Sequence, residues 1–112
     1  GDTTDDLLAL AKEVNPEPTD RELALLWSTG EMVTSSLLTM ALHATGHDAT
    51  ALTGFQAGIR TNAFHAKAQI LDVDTARIER ELERDAIVVV AGFQGWTEEM
   101  DITVLGRGAT CA

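Results

Sequence analysis

The stretch Ile87-Val88-Val89-Val90-Ala91 constrains this chain more than any other. A strand with one face in water alternates apolar and polar residues. This run does not alternate, so both of its faces need cover. That is the pattern of a central parallel strand in an α/β fold, with helices above and below the sheet. The residues before it fit such a setting. Asp74 or Thr75 caps a helix that carries Ile78 and Leu82 among Arg77, Glu79, Arg80, Glu81, Glu83 and Arg84. Lys67 to Val73 precedes the helix as another strand, with Ala68 and Ile70 turned inward and Val73 a further candidate. Strand, helix and strand read together as a βαβ unit.

The first part of the chain is helical. Thr3 or Thr4 caps a first helix with Asp5 and Asp6 in its first turn, where the helix dipole favours anions. Leu7, Leu8, Ala11 and Val14 keep helical spacing, and Asn15-Pro16-Glu17-Pro18 ends the element. Thr19-Asp20-Arg21-Glu22 has the form of a capping box and opens a long helix to about Ala44. Its apolar stripe runs through Leu23, Leu26, Trp27, Val33, Leu37 and Ala41. Leu25, Met32, Met40 and Leu42 widen that stripe, so the helix is expected to be covered on more than one side. Gly46 stops it. Ala49 to Thr53 and Ile102 to Leu105 are further strands; Gly54 to Gly58 and Gly92 to Gly95 are loops. There is no internal repeat and no low-complexity tract.

The 112 residues suit one domain. Asp and Glu number 18 against 8 Lys and Arg, a net charge of −10. Phosphate backbones and anionic lipid surfaces repel such a chain, which argues against nucleic acid and membrane partners. No apolar run approaches the ~20 residues of a membrane span. The opening Gly1-Asp2 points to a processed chain or an excerpt. Cys111 is the only cysteine, so no internal disulfide forms, and a reducing, cytoplasmic setting fits.

In an open α/β sheet, ligands sit beyond the carboxyl ends of the strands. Three glycine-bearing loops fall there: Gly54 to Gly58, Gly92-Phe93-Gln94-Gly95, and Gly106-Arg107-Gly108. Each read alone is an ordinary turn; three in equivalent places point to a phosphate or carboxylate site. Glu31 follows Gly30 inside an apolar helix. A helical glycine costs about 1 kcal/mol against alanine, so something is expected to pack close there. Glu31 can hold a ligand ammonium, and Arg107, flanked by glycines, suits a carboxylate. His43 and His47 stand four apart but Gly46 separates them, His65 is alone, and no metal site is assigned.

The segments DDLLALAKEV, LLWSTGEMVTSSLLTMAL, TGFQAGIRT, ILDVD, IVVVAGFQG and ITVLGRG, in this order, resemble the bacterial aspartate kinases from Thr4 to Gly108. The resemblance implies the amino acid kinase fold, an αβα sandwich around a mainly parallel sheet. It implies transfer of the ATP γ-phosphoryl group to the aspartate side-chain carboxylate, with ATP and Mg²⁺ as cofactors. It places Glu31 at the substrate's amino group and Arg107 at substrate carboxylate. It places Gly92, Phe93, Gln94 and Gly95 near the reacting phosphates.

The chain also departs from that pattern. The family's opening strand with a Lys-Phe-Gly-Gly loop has no counterpart here. Ala109-Thr110-Cys111-Ala112 stands where the family continues Gly-Ser-Asp-Thr towards the nucleotide-binding segment. The expectation is one partial catalytic domain over residues 1–112 with no regulatory domain, no bound ATP or Mg²⁺, no turnover, and weak aspartate binding at most. A homo-oligomer, a dimer above all, is expected to cover strand edges and helix stripe. The alternatives are a self-associating binding protein built on a kinase fragment, and metal capture.

Overall fold

The computed structural model describes residues 2–106, with side-chain surroundings from residue 5 onwards. Arg107, Gly108 and Cys111 lie outside the described residues. In chain order the elements are α1 (Asp2–Val14), α2 (Asp20–Ala44), β1 (Ala49–Leu52), β2 (Ile59–Thr61), β3 (Ile70–Val73), α3 (Ala76–Glu83), β4 (Ile87–Val90), β5 (Gln94–Trp96) and β6 (Ile102–Val104).

Local chemistry explains most of the helix ends. Helix α1 begins at Asp2, ahead of the expected Thr3 or Thr4. Thr19 is extended at the start of α2, but its side chain makes no capping bond. The capping-box expectation fails because Glu22 accepts from its neighbour Arg21 instead, at 2.9 Å. At the other end Gly46 adopts φ +88°, and the N–H groups of Gly46 and His47 donate back to His43 and Leu42 carbonyls. This is the left-handed helix stop that glycine favours. Asp74 supplies the side-chain acceptor for α3, taking the Ala76 N–H at 3.1 Å.

Strands β1 and β4 pair in parallel, Ala49 opposite Ile87 through to Leu52 opposite Val90. A second sheet has the order β3-β2-β5-β6, with β2 and β5 parallel at its centre and β3 and β6 antiparallel outside them. Helices with parallel central pairings place the chain in the α/β class. The βαβ expectation needs correction. Strand β3 lies in the other sheet from β4, so α3 connects two sheets rather than two neighbours. The partner of β3 is β2, whose three residues are too few for period-two patterning to announce. Likewise β5 begins inside the expected Gly92 to Gly95 loop.

The interior is built from small residues. Ala24, Ala49, Leu52, Ala57, Ala68, Ala86 and Ala91 form the buried apolar set. Helix α2 packs on β6, β1 and α1, and its buried residues are Ala24, Ser28, Gly30, Ser35 and Thr39. These hydroxyls are satisfied within the helix: Ser28 donates to the Leu25 carbonyl at 2.7 Å and Thr39 to that of Ser35 at 2.8 Å. The expected apolar stripe is therefore not the buried face in the second half of α2. Val33, Leu37 and Met40 are 52%, 60% and 61% exposed, because the small face is the one that lets a sheet approach the helix axis closely. Strand β4 has β1 as its only neighbour among the described residues, and Val88 to Val90 stay half-buried.

Candidate functional site

Beyond the carboxyl ends of β1 and β4, the chain folds two glycine-bearing turns against each other. The first, Gly54 to Gly58, is closed on itself. Gln56 and Ala57 donate to Thr53, Gly58 to Phe55, and Ile59 back to Gly54. The Gly54 N–H is taken by Gln94 Oε1 at 2.9 Å. Most of the loop's donors are thus spent, and it serves as a turn rather than an anion cradle.

The second turn, Gly92-Phe93, differs. Neither N–H has an acceptor among the described residues. Phe93 adopts φ +56° and is 69% exposed. A left-handed phenylalanine carries roughly 1–2 kcal/mol of backbone strain, which persists only where neighbours enforce it. The Leu105 N–H holds the Phe93 carbonyl at 2.8 Å, and the next residue, Gln94, is anchored by its side chain. It is buried, and its Nε2 donates to the Ser28 carbonyl of α2 at 3.2 Å while its Oε1 takes Gly54. One side-chain amide therefore ties the long helix, the first turn and β5 together.

This clamp sets the wall of a cavity of about 440 Å³. Glu31, Lys67, Gly92, Phe93, Gln94 and Gly106 line it, with Trp27 one helical turn before Glu31. A Cβ on Gly92 would lie 3.6 Å from Glu31 Oε2, so the turn and the carboxylate are close neighbours. The Glu31 carboxylate accepts no hydrogen bond and makes no ion pair among the described residues. The buried Trp27 Nε1 likewise has no partner there. Lys67 is the only cation and Glu31 the only anion among the described lining residues.

Sequence reasoning singled out Glu31, Gly92, Phe93 and Gln94, and the fold brings all four to this cavity. Gly95 is the second residue of β5 and is packed too tightly to line it: a Cβ there would lie 2.6 Å from Thr61 Cγ2. Arg107 lies outside the described residues. Lys67 and Trp27 were missed as site residues. Trp27 reads as one more stripe residue. Lys67 arrives only because Ala68 donates to Val104 and Gly106 to Ala68, a pairing no local pattern encodes.

The histidines are scattered. His43 Nε2 lies 2.7 Å from the Ala49 carbonyl oxygen, and His47 Nδ1 lies 2.9 Å from Thr45 Oγ1. His65 meets Asp101 at 3.3 Å, and Arg21, at 2.8 Å, holds that carboxyl below its ordinary range. No group of three metal-ligating side chains forms among the described residues. No helix there is long and apolar enough to cross a membrane.

The sequence pattern described as Amino acid kinase family matches residues 1–110. The chain belongs to the amino acid kinase family. It is 53% identical to aspartokinase 2 of Bacillus subtilis (strain 168) over 110 residues, which are 98% of this chain and 27% of that protein. Aspartokinase of Geobacillus stearothermophilus gives the same figures. The chain thus spans about a quarter of the length of these relatives. Among solved structures, aspartate kinase from Synechocystis superposes with a TM-score of 0.73 at 36% identity, over 97% of this chain and 17% of that one. Escherichia coli aspartokinase III in complex with aspartate and ADP superposes with a TM-score of 0.70 at 21% identity, a likeness of fold, over 94% of this chain and 24% of that one. The helices and strands described above are accordingly part of the amino acid kinase fold, with its mainly parallel sheet.

Proposed function

We propose that these residues form the amino-acid end of an aspartokinase site. The observation that carries this is the meeting of Glu31 and the Gly92-Phe93 turn across one cavity, although they are far apart in sequence. Glu31 holds the ammonium of aspartate, the turn's free N–H groups face anionic oxygen, and Arg107, by family resemblance, takes a carboxylate. In the family ATP supplies the phosphoryl group and Mg²⁺ neutralises its charge. Phosphoryl transfer depends almost wholly on positioning and charge neutralisation. The 112 residues by themselves offer one described cation at the cavity, so in this reading they do not hold the triphosphate of ATP, nor the Mg²⁺ that it carries, and do not turn over. Aspartate binds them with a dissociation constant of about a millimolar, roughly −4 kcal/mol. The setting is cytoplasmic.

A coupled ADP-release assay with ATP, Mg²⁺ and aspartate tests the reading. The chain alone is expected to show no rate above background. Grafted in place of the matching segment of the Geobacillus stearothermophilus enzyme, it is expected to support turnover that disappears on Glu31→Ala. Turnover by the chain alone, or a graft indifferent to Glu31→Ala, refutes the reading.

Self-association belongs to the same proposal. Val33, Leu37 and Met40 form an exposed apolar row on α2, and β4 has one strand neighbour among the described residues. Exposed apolar patches and open strand edges both favour a second copy. Light scattering after size exclusion is expected to give a dimer at micromolar concentration; a well-folded 12.0 kDa monomer excludes it.

A further inference from the structure

We propose that Lys67 is an anion-binding residue of the Glu31 cavity and takes the side-chain carboxylate of a ligand whose ammonium Glu31 takes. This rests on the reading of the cavity as an amino-acid site and adds to it a specificity-determining residue. Three observations carry it. Lys67 and Glu31 are the only charged residues among the described lining residues, one of each sign. Neither is paired with another described residue; among the other described cations Arg21, Arg60, Arg77 and Arg84 are paired, and Lys12 and Arg80 are not. And Lys67 is fixed at its base. Its N–H donates to the Phe64 carbonyl at 3.0 Å. Its Cβ and backbone lie against Gly106, where an added Cβ would come within 3.2 Å of Lys67 Cβ.

The chemistry follows from the signs of these groups. An ammonium and a carboxylate on one small molecule match a carboxylate and an ammonium that line one cavity without pairing with each other. Lysine is a point charge on a flexible stem, so it tolerates different carboxylate orientations but requires the negative charge. The free N–H groups of Gly92 and Phe93 add neutral donors beside the two charges. A neutral amide at the ligand's end offers Lys67 much less. The cavity therefore discriminates a dicarboxylic amino acid from its amide through Lys67.

The test is a chemical-shift titration of the isotopically labelled chain with L-aspartate, L-asparagine and succinate at low salt. Aspartate is expected to bind about tenfold more tightly than asparagine. Lys67→Met is expected to remove that preference and to weaken the succinate response about tenfold, while Lys67→Arg restores both. Glu31→Gln is expected to weaken aspartate and to leave succinate no weaker, since it removes the cavity's one described anion. If aspartate binding depends on Glu31 but neither ligand responds to Lys67→Met, the lysine assignment is wrong and the amino-acid site stands. If succinate depends on Lys67 while aspartate ignores Glu31, the lysine assignment stands and the amino-acid reading falls. If no ligand shifts the resonances of the cavity residues, both fall.

Discussion

Replacing Gln94 with leucine removes the amide that joins α2, the Gly54 turn and β5, and leaves a side chain of similar size. Gln94 is 2% exposed, so water does not substitute for the lost bonds. The Gly54 N–H loses its acceptor at 2.9 Å and is left buried and unpaired, which costs about 1–3 kcal/mol. The Ser28 carbonyl loses the Nε2 donor at 3.2 Å but keeps its helical partner, so that loss is about 0.5–1.5 kcal/mol. Together the destabilisation is about 2–4 kcal/mol, a large part of the stability of a small domain. With a urea slope of about 1–2 kcal/mol/M, the unfolding midpoint falls by about 2 M. The measurement is urea unfolding followed by circular dichroism at one fixed chain concentration, so that association does not shift the midpoint. Gln94→Glu separates hydrogen bonding from packing. Its carboxylate still accepts from Gly54 but faces the Ser28 carbonyl without a proton to donate. Burial then raises its pKa, so this variant is most stable below the ordinary glutamate pKa of about 4 and loses stability as pH rises from there through the raised value. A leucine variant within about 1 kcal/mol of the parent, with a glutamate variant indifferent to pH, would show that the clamp contributes little.

Acid stability is expected to depend on Glu81, which the Thr50 hydroxyl and then the Arg84 and Arg77 guanidiniums hold down to about 2 from an ordinary 4.5. Its folded pKa is depressed, so its contribution is present above pH 4.5 and is lost as pH falls towards 2; thermal melts across that window should show a shallower acid limb in Glu81→Gln. Gly95→Ala is expected to destabilise by about 1–3 kcal/mol, because the new Cβ meets Ile59 O at 2.7 Å and Thr61 Cγ2 at 2.6 Å at the β2–β5 pairing. Gly46→Ala meets nothing within 4 Å and is expected to lose only the roughly 1 kcal/mol of a left-handed residue; equal losses in urea unfolding would undo the contrast.

The sequence alone determined the features that arise from neighbours along the chain. Pro16 and Pro18 separate α1 from α2 because proline withholds a donor, and Gly46 ends α2 because glycine enters φ +88° without strain. The Ile87 run is a parallel strand, and the sequence matches the family over residues 1–110. The tertiary structure decided which surfaces meet. It placed β3 beside β2 rather than β4, since sheet partners are chosen by long-range hydrogen bonding that no local period records. It turned the small polar face of α2 inward and left Val33, Leu37 and Met40 outside, since the approach of a sheet is limited by side-chain size as well as hydrophobicity. It gave Gln94, read from sequence as a residue near phosphate, the work of a buried clamp, and it carried Lys67 to the Glu31 cavity. Both outcomes depend on pairing between segments distant in the chain, where spacing along the sequence says nothing about distance in space.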